Sequence, residues 1–416
     1  MTRRVVVTGI GAVSPNGIGR EAFWNATRAG ASGVKRISRF DVSRYPCQVA
    51  GEIVGFCEEK YYPPKERPHV SRAAPLGIAA VEEALSDAGI DPRAMTRDEL
   101  RGIGLIVGSG GGSQEFTEEQ YRLYYTGKEK QCSVYVIPTG TIGTLAGEIS
   151  MRFGLRGLSH VISTGCTSST DAIGYAYRNI RAGVLDTMVA GGVDAPLAPL
   201  ILRGFMLMRV VSTHWNKEPQ RASRPFSRDR DGMVVAEGSW FFVLEELERA
   251  RARGAHIYGE IAGYGATCEA FHRVRLEECG EEPARAMSLA MAEGGIPPEA
   301  VNYIQYHGTS TELNDRIETR ATKLAFNGYA YKLPGSSLKS LIGHPQGACG
   351  AAGIAATLLA MRDGVVPPTL NLDEPDPECD LDYIPEIGRR LDIEYAIANC
   401  IAFGSKNSAI LLRRLA

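Results

Sequence analysis

Four residues of this 416-residue chain have the types and settings that acyl chemistry needs: Cys166, His307, Lys339 and His344. Cys166 stands in Val161-Ile162-Ser163-Thr164-Gly165-Cys166-Thr167-Ser168-Ser169. There a β-branched run turns through small residues into a helix with an apolar stripe at Ala172, Ile173, Ala176, Tyr177 and Ile180. A thiol at a helix N-terminus meets unpaired N–H groups and the positive end of the macrodipole. The expectation is a lowered pKa and a reactive thiolate. His307 follows the strand-like run Val301-Asn302-Tyr303-Ile304-Gln305-Tyr306 and opens His307-Gly308-Thr309-Ser310-Thr311. Lys339 and His344 share the segment Lys339-Ser340-Leu341-Ile342-Gly343-His344. The chain has only 7 histidines, and these two lie beside glycine just past strand ends, where α/β folds place ligands. Taken singly, each of the four reads as a core or solvated residue. Their coincidence in matching settings is the signal.

A thiolate can hold an acyl group as a thioester. Two neutral imidazoles can donate N–H bonds to the enolate left when a malonyl thioester loses CO₂. A hydrolase needs one histidine with an acidic partner, and a glycine two residues either side of its nucleophile. Thr164-Gly165-Cys166-Thr167-Ser168 lacks those glycines, so condensation fits better than hydrolysis. A dinucleotide oxidoreductase is the other rival. Val5-Val6-Val7-Thr8-Gly9-Ile10-Gly11-Ala12-Val13-Ser14 starts like its fingerprint, but Ser14 replaces the third glycine and Pro15 follows. The glycine-rich loop at 108–112 lacks the Lys-Ser/Thr ending of a phosphate loop.

The elements that must position these residues alternate strand and helix, which predicts an α/β fold. Strands are expected at Val5–Thr8, Ile103–Val107, His160–Ser163, Thr187–Ala190, Trp240–Leu244, Tyr258–Tyr264, Val301–Tyr306, Leu333–Ser337, Tyr395–Ala402 and Ser408–Leu412. Helices are expected at Ala73–Ala88, Cys166–Ala182, Ala284–Ala292 and Ala348–Arg362. Gly254 marks a join between two halves of similar make-up: 1–253 with the nucleophile and 254–416 with both histidines. The segments 61–68 and 223–232 read as ordered surface loops.

Bulk properties bound the rest. Apolar residues make up 44% and charged residues 23%, with a net charge of −2. This balance gives no field for nucleic acid or an anionic membrane. No apolar run approaches the ~20 residues that span a bilayer, and Met1-Thr2-Arg3-Arg4 leads into a strand without a signal core. The 9 cysteines are scattered and form no Cys-x-x-Cys pair, a poor disulfide framework and a poor zinc site. A reducing cytoplasm and no metal are expected.

With these motifs in hand, the chain resembles the β-ketoacyl synthases of the thiolase-like superfamily, the condensing enzymes of fatty-acid and polyketide assembly. The likeness runs from Val5–Pro15 to Ile410–Arg413 and includes Asn314-Asp315, Arg224-Pro225-Phe226 and Arg230-Asp231-Gly232. It implies a five-layer αβαβα fold of two pseudo-symmetric halves and a Cys166-His307-His344 site. Lys339 would order that site, with Asp315, Glu318, Thr309 and Thr311 in support. Backbone N–H groups of Cys166 and Phe403 would form the oxyanion hole, and Phe403 would gate the acyl pocket. The resemblance further implies an acyl carrier protein as partner, whose phosphopantetheine arm reaches Cys166, and no cofactor in the chemistry. Carrier docking would involve Lys65, Arg67, Arg72 and Arg209. It also implies a dimer, with 135–138 near the interface.

Within the family, Gly191-Gly192-Val193-Asp194-Ala195-Pro196 and the lead-in to Cys166 look most like the catalytic ketosynthase subunits of bacterial type II polyketide systems. Those subunits usually pair with a chain-length-factor relative that lacks the cysteine. A fatty-acid elongation ketosynthase is the alternative; a non-catalytic chain-length partner would lack Cys166. The chain departs from the family pattern at Ala402, Ser405 and Lys406, where the common motif is Gly-Phe-Gly-Gly-Thr-Asn. It departs again at Gly353, where many relatives carry glutamate. Added side chains at Ala402 and Ser405 should restrict the backbone beside the oxyanion hole.

Overall fold

The structure, a computed structural model, describes residues 3–415; Met1, Thr2 and Ala416 lie outside it, and with them the start of the leaderless reading. The first half supplies β1 (Val5–Ser14), α1 (Ala73–Asp87), β2 (Ile103–Gly108), β3 (Ser159–Ile162), α2 (Ser168–Arg181), β4 (Thr187–Asp194) and β5 (Gly238–Glu246). The second supplies β6 (Gly259–Cys268), α3 (Glu281–Gly294), β7 (Tyr303–Gln305), α4 (Glu312–Phe326), β8 (Gly335–Ser336), α5 (Cys349–Asp363), β9 (Tyr395–Ala402) and β10 (Lys406–Arg413). Each expected strand and helix has an observed counterpart, most of them shifted by a few residues at the ends.

The strands form one path, β8-β7-β9-β10-β6-β1-β5-β4-β2-β3. Within each half the order is third, second, fourth, fifth, first, so the second half repeats the topology of the first. In each, the strand third in sequence runs parallel to the second and the second to the fourth, while the fifth pairs antiparallel to both the fourth and the first. The halves meet where β1 pairs with β6 over Val5–Val7 and Gly259–Ile261.

Layering follows from which faces are apolar. The strands β1, β2, β4 and β5 are buried almost throughout, so their sequences run as β-branched and small residues without strict alternation. Helices α2 and α5 share one core with strands of both halves: Ala172, Ile173 and Ala176 pack with Ala351, Ala352 and Ala355, against Ala190 on one side and Ala398 on the other. On the outside, α1 covers the first sheet, with Ala80 and Ala84 near Val243. On the opposite side, α3 and α4 cover the second, with Met287 and Ala321 near Ile397. The result is the expected αβαβα arrangement. Close approach of the central helices requires Gly350, whose added Cβ would lie 1.9 Å from Thr170 Oγ1.

One expectation is corrected. The segment 223–232 is no surface loop: Ser223, Arg224, Phe226, Ser227 and Arg230 are buried. Its charges are neutralised internally, Arg224 by Asp229 and Asp373, and Arg230 by Asp376 and Asp315. Among the described residues, no helix is long and apolar enough to cross a membrane.

Candidate active site

The nucleophile turn is built between β3 and α2. Gly165 takes φ +73°, a left-handed conformation that favours glycine, and begins the 3₁₀ turn Gly165–Thr167. Ser168 then caps the bend, its amide-side neighbour Thr164 N–H donating to Ser168 Oγ at 2.9 Å. Cys166, 6% exposed, is thereby fixed in the wall of a cavity of about 380 Å³. Apolar side chains from several elements line that cavity, among them Met208, Val210, Met233, Leu276 and Ile401.

The histidines arrive from the second half. His307 leaves the end of β7, and His344 follows a short helix, Lys339–Ile342, through Gly343 at φ +75°. Their rings stand nearly perpendicular with centroids 5.3 Å apart. The Cys166 sulfur and one nitrogen of each ring all lie within 4.8 Å of one another. The three sequence-assigned side chains therefore converge at one point, although they come from opposite halves of the chain.

Lys339 is buried beside His307. Its Nζ lies 3.2 Å from His307 Nδ1 and also donates to the His307 carbonyl. An ammonium has protons only to give, so it fixes Nδ1 as acceptor and leaves the ring proton on Nε2. Burial, then the Lys339 charge, lowers His307 to about 3. Burial likewise lowers His344. Both imidazoles are neutral at pH 7 and can act as N–H donors.

Glu318 and Asp315, both on α4, hold the His307 loop rather than touching the sulfur. Glu318 accepts from the N–H groups of His307 and Gly308 at 2.6 and 2.7 Å and from Asn399 Nδ2 at 2.7 Å. Burial pushes its carboxyl up to about 7. Asp315 accepts from Thr309 N–H at 3.0 Å and Phe226 N–H at 2.8 Å. The Thr309 and Thr311 hydroxyls lie 2.8 Å apart, and both residues line the cavity.

Phe403 is half-buried on the turn between β9 and β10, lines the cavity, and points its backbone N–H at the Cys166 sulfur. Ser405 stands at φ +66° and ties this turn to residues 269–272. Its Oγ accepts from Phe271 and His272 N–H at 3.2 Å each and donates to the His272 carbonyl at 3.0 Å. These bonds fasten the turn that carries Phe403 to residues 271 and 272. Ala402 packs on Gly165, 3.4 Å from where a Cβ there would sit.

Two expectations fail at the site. The Cys166 thiol is not lowered: burial, reinforced by the nearby Cys349 sulfur, raises it above its ordinary range despite Lys339 and the Phe403 N–H. Loss of water on burial outweighs the favourable dipole at the helix end. Arg72 is not a docking residue, because it is 5% exposed and paired with Glu237 and Glu58. Arg67 is half-buried and paired with Glu58, whereas Lys65 and Arg209 are exposed. Arg209 sits between Met208 and Val210 of the cavity wall. Sequence reasoning missed Arg275 and His272, exposed residues that also line the cavity. It also missed Cys349 and Cys400, which form a second cluster with His307.

Residues 2–250 match the beta-ketoacyl synthase N-terminal domain, and residues 258–373 match the beta-ketoacyl synthase C-terminal domain. The chain belongs to the β-ketoacyl synthase family. It is 38% identical over 412 residues to a 3-oxoacyl-[acyl-carrier-protein] synthase 2 of Synechocystis sp., covering 99% of this chain and 98% of that one. It is 39% identical over 422 residues to the tetracenomycin polyketide synthase ketoacyl synthase alpha subunit of Streptomyces glaucescens, covering 99% and 97%. Among solved structures, a type II polyketide ketosynthase bound to a hexaketide, in complex with its acyl-carrier protein, superposes with a TM-score of 0.90 at 33% identity. The ishigamide ketosynthase/chain length factor does so at 0.90 and 30%; both alignments cover 100% of each chain. This β-ketoacyl synthase is thus an acyltransferase of the 3-oxoacyl-[acyl-carrier-protein] synthase type.

Proposed function

We propose that this β-ketoacyl synthase is the catalytic ketosynthase subunit of a type II polyketide system. It would condense a Cys166-bound acyl chain with malonyl carrier protein. The observation that carries the reaction is the meeting of one sulfur and two neutral imidazoles in the wall of an apolar cavity. Cys166 Sγ attacks the carrier-bound thioester, its proton passing to an adjacent imidazole and from there to the departing carrier thiolate, so that the imidazole is neutral again. The N–H groups of Cys166 and Phe403 stabilise the tetrahedral oxyanion. In the second half-reaction the Nε2–H of His307, held by Lys339, and the His344 ring bind the malonyl thioester oxygen. They stabilise the enolate as CO₂ departs. The carbanion attacks the acyl thioester, the C–C bond forms, and the Cys166 thiolate leaves to regain a proton. No metal or organic cofactor takes part in these steps.

Similarity to the tetracenomycin subunit, and to structures of ketosynthases with a chain length factor or a carrier protein, supports the pathway and the partners. An exposed apolar patch at Val134, Tyr135 and Ile137 supports an interface with a second subunit. The fatty-acid elongation reading rests on the comparable likeness to the Synechocystis enzyme. One experiment separates them. The chain is expressed alone and with a chain-length-factor relative, then supplied with acyl and malonyl carrier proteins. A heterodimer that extends the chain repeatedly without reduction supports the proposal. A homodimer complete in single elongations of saturated acyl chains overturns it. Cys166→Ala should abolish condensation in either case.

A further inference from the structure

Behind the nucleophile lies a second reactive cluster that the condensation does not use. Cys349, at the start of α5, and Cys400, on β9, place their sulfurs 3.5 Å apart. Both sulfurs lie against the Cys166 carbonyl oxygen, at 3.2 and 3.1 Å. Cys400 Sγ is also 3.4 Å from His307 Nδ1. Beside the pair is a void of about 10 Å³ bordered by Lys339, Gly353 and Asn399, about the room one water-sized molecule needs.

We propose that Cys349 and Cys400 are a hydroperoxide-sensitive dithiol that closes to a disulfide and switches the condensing site off. Lys339 supplies the electrostatics, since among the described residues its ammonium donates only to His307. Cys349 is the sulfur that ionises first. Burial opposes this, but the Cys400 S–H, the Lys339 charge and His344 outweigh burial and hold it well below its ordinary range. Burial and the Cys349 sulfur keep Cys400 protonated. The chemistry balances with a hydroperoxide as two-electron oxidant. The Cys349 thiolate attacks one oxygen of the O–O bond, giving a sulfenic acid and, with one proton, water from hydrogen peroxide or an alcohol from an organic hydroperoxide. The Cys400 thiol then displaces the sulfenic hydroxyl, forming S–S and releasing water. The sulfurs must approach by roughly 1.5 Å to reach disulfide length. Closure withdraws Cys400 from His307 and from the Cys166 carbonyl, disturbing both the nucleophile turn and the imidazole.

The same donors could be read as a soft-metal site. The Lys339 ammonium, 3.2 Å from His307 Nδ1, occupies the direction of the lone pair a metal needs and repels a cation. The dithiol reading is therefore favoured.

The test uses the full chain with Cys166→Ala, which silences the nucleophile. Hydrogen peroxide is added at neutral pH, remaining thiols are alkylated under denaturing conditions, and peptides are mapped by mass. The expected product joins the Cys349 and Cys400 peptides at about 2 Da below the dithiol mass, and dithiothreitol reverses it. Lys339→Met should slow its formation about tenfold. Should Cys166→Ala fold poorly, the same mapping on the unsubstituted chain reads the cross-link by peptide identity. In the chain with Cys166 intact, Cys400→Ser should remove the dithiothreitol-reversible part of peroxide inactivation. Three results overturn the proposal: over-oxidised Cys349 without a cross-link, no reaction at either sulfur, or zinc held stoichiometrically by the pair in the purified protein.

Discussion

Lys339 decides which nitrogen of His307 carries the proton, and so whether that ring can hold an enolate. Replacing it by methionine frees Nδ1 to take the proton and strips Nε2 of its donor role. We expect malonyl decarboxylation to fall about 10²–10³-fold in Lys339→Met, the range for losing one preorganised donor. Acylation of Cys166 by a small thioester should fall much less; equal losses in single-turnover assays would remove this role. Protonation also sets an acid limit on stability. His307 titrates at about 3 in the fold against an ordinary 6.5, so between those values the unfolded chain binds a proton that the native chain refuses. Stability then falls as pH falls, by up to ~1.4 kcal/mol per pH unit for this group. Glu318 works in the opposite sense between its ordinary 4.5 and about 7, where the native chain holds the extra proton. The two effects oppose each other from pH 6.5 to 4.5, and below 4.5 His307 acts without that offset. Denaturant titrations from pH 7 to 3.5 should therefore show a shallower acid loss in His307→Ala than in the unsubstituted chain. Parallel curves would mean the imidazole is charged in the fold.

At the scale of the element, α2 and α5 are held together by what Gly350 lacks. Gly350→Ala puts a methyl group into Thr170 and should cost about 1–3 kcal/mol, read as a lower denaturant midpoint at unchanged slope. An unchanged midpoint would mean the helices can separate freely. Elements with apolar faces were readable from the chain: β9 falls at Tyr395–Ala402 as its β-branched and small residues predict. In contrast, α4 escaped notice because the face it buries is mixed. Asn314, Asp315, Glu318, Thr319 and Thr322 are buried beside Ile317, Ala321, Ala325 and Phe326, and these polar residues mask the apolar stripe. The same blindness made 223–232 look solvated, since buried arginines paired with carboxylates, Arg224 with Asp229 and Asp373 and Arg230 with Asp315 and Asp376, read as surface charge. At the site, Cys166, His307 and His344 were legible because short motifs mark them. Cys349 and Cys400 were not, because 51 residues separate them and only packing brings their sulfurs into contact. The direction of the Cys166 shift was misjudged for a related reason: a helix end is visible in sequence, whereas the depth of burial is not.

For the whole molecule, the proposed reaction requires a carrier protein to deliver its thioester to the cavity, and Arg209 is exposed between two residues of the cavity wall. Arg209→Glu should slow acylation from an acidic carrier about tenfold, more at low salt, and leave reaction with a small thioester unchanged. Equal slowing on both substrates would remove Arg209 from the docking surface. The repeated strand order has a consequence of its own. The sulfur is carried by one repeat and both imidazoles by the other, with the linking chain turning at Gly254, where an added Cβ would meet no atom within 4 Å. A backbone nick at that turn would leave each fragment chemically inert yet spare every contact of the catalytic seam. Activity would then depend on fragment concentration, as in a bimolecular enzyme whose two parts happen to be encoded together.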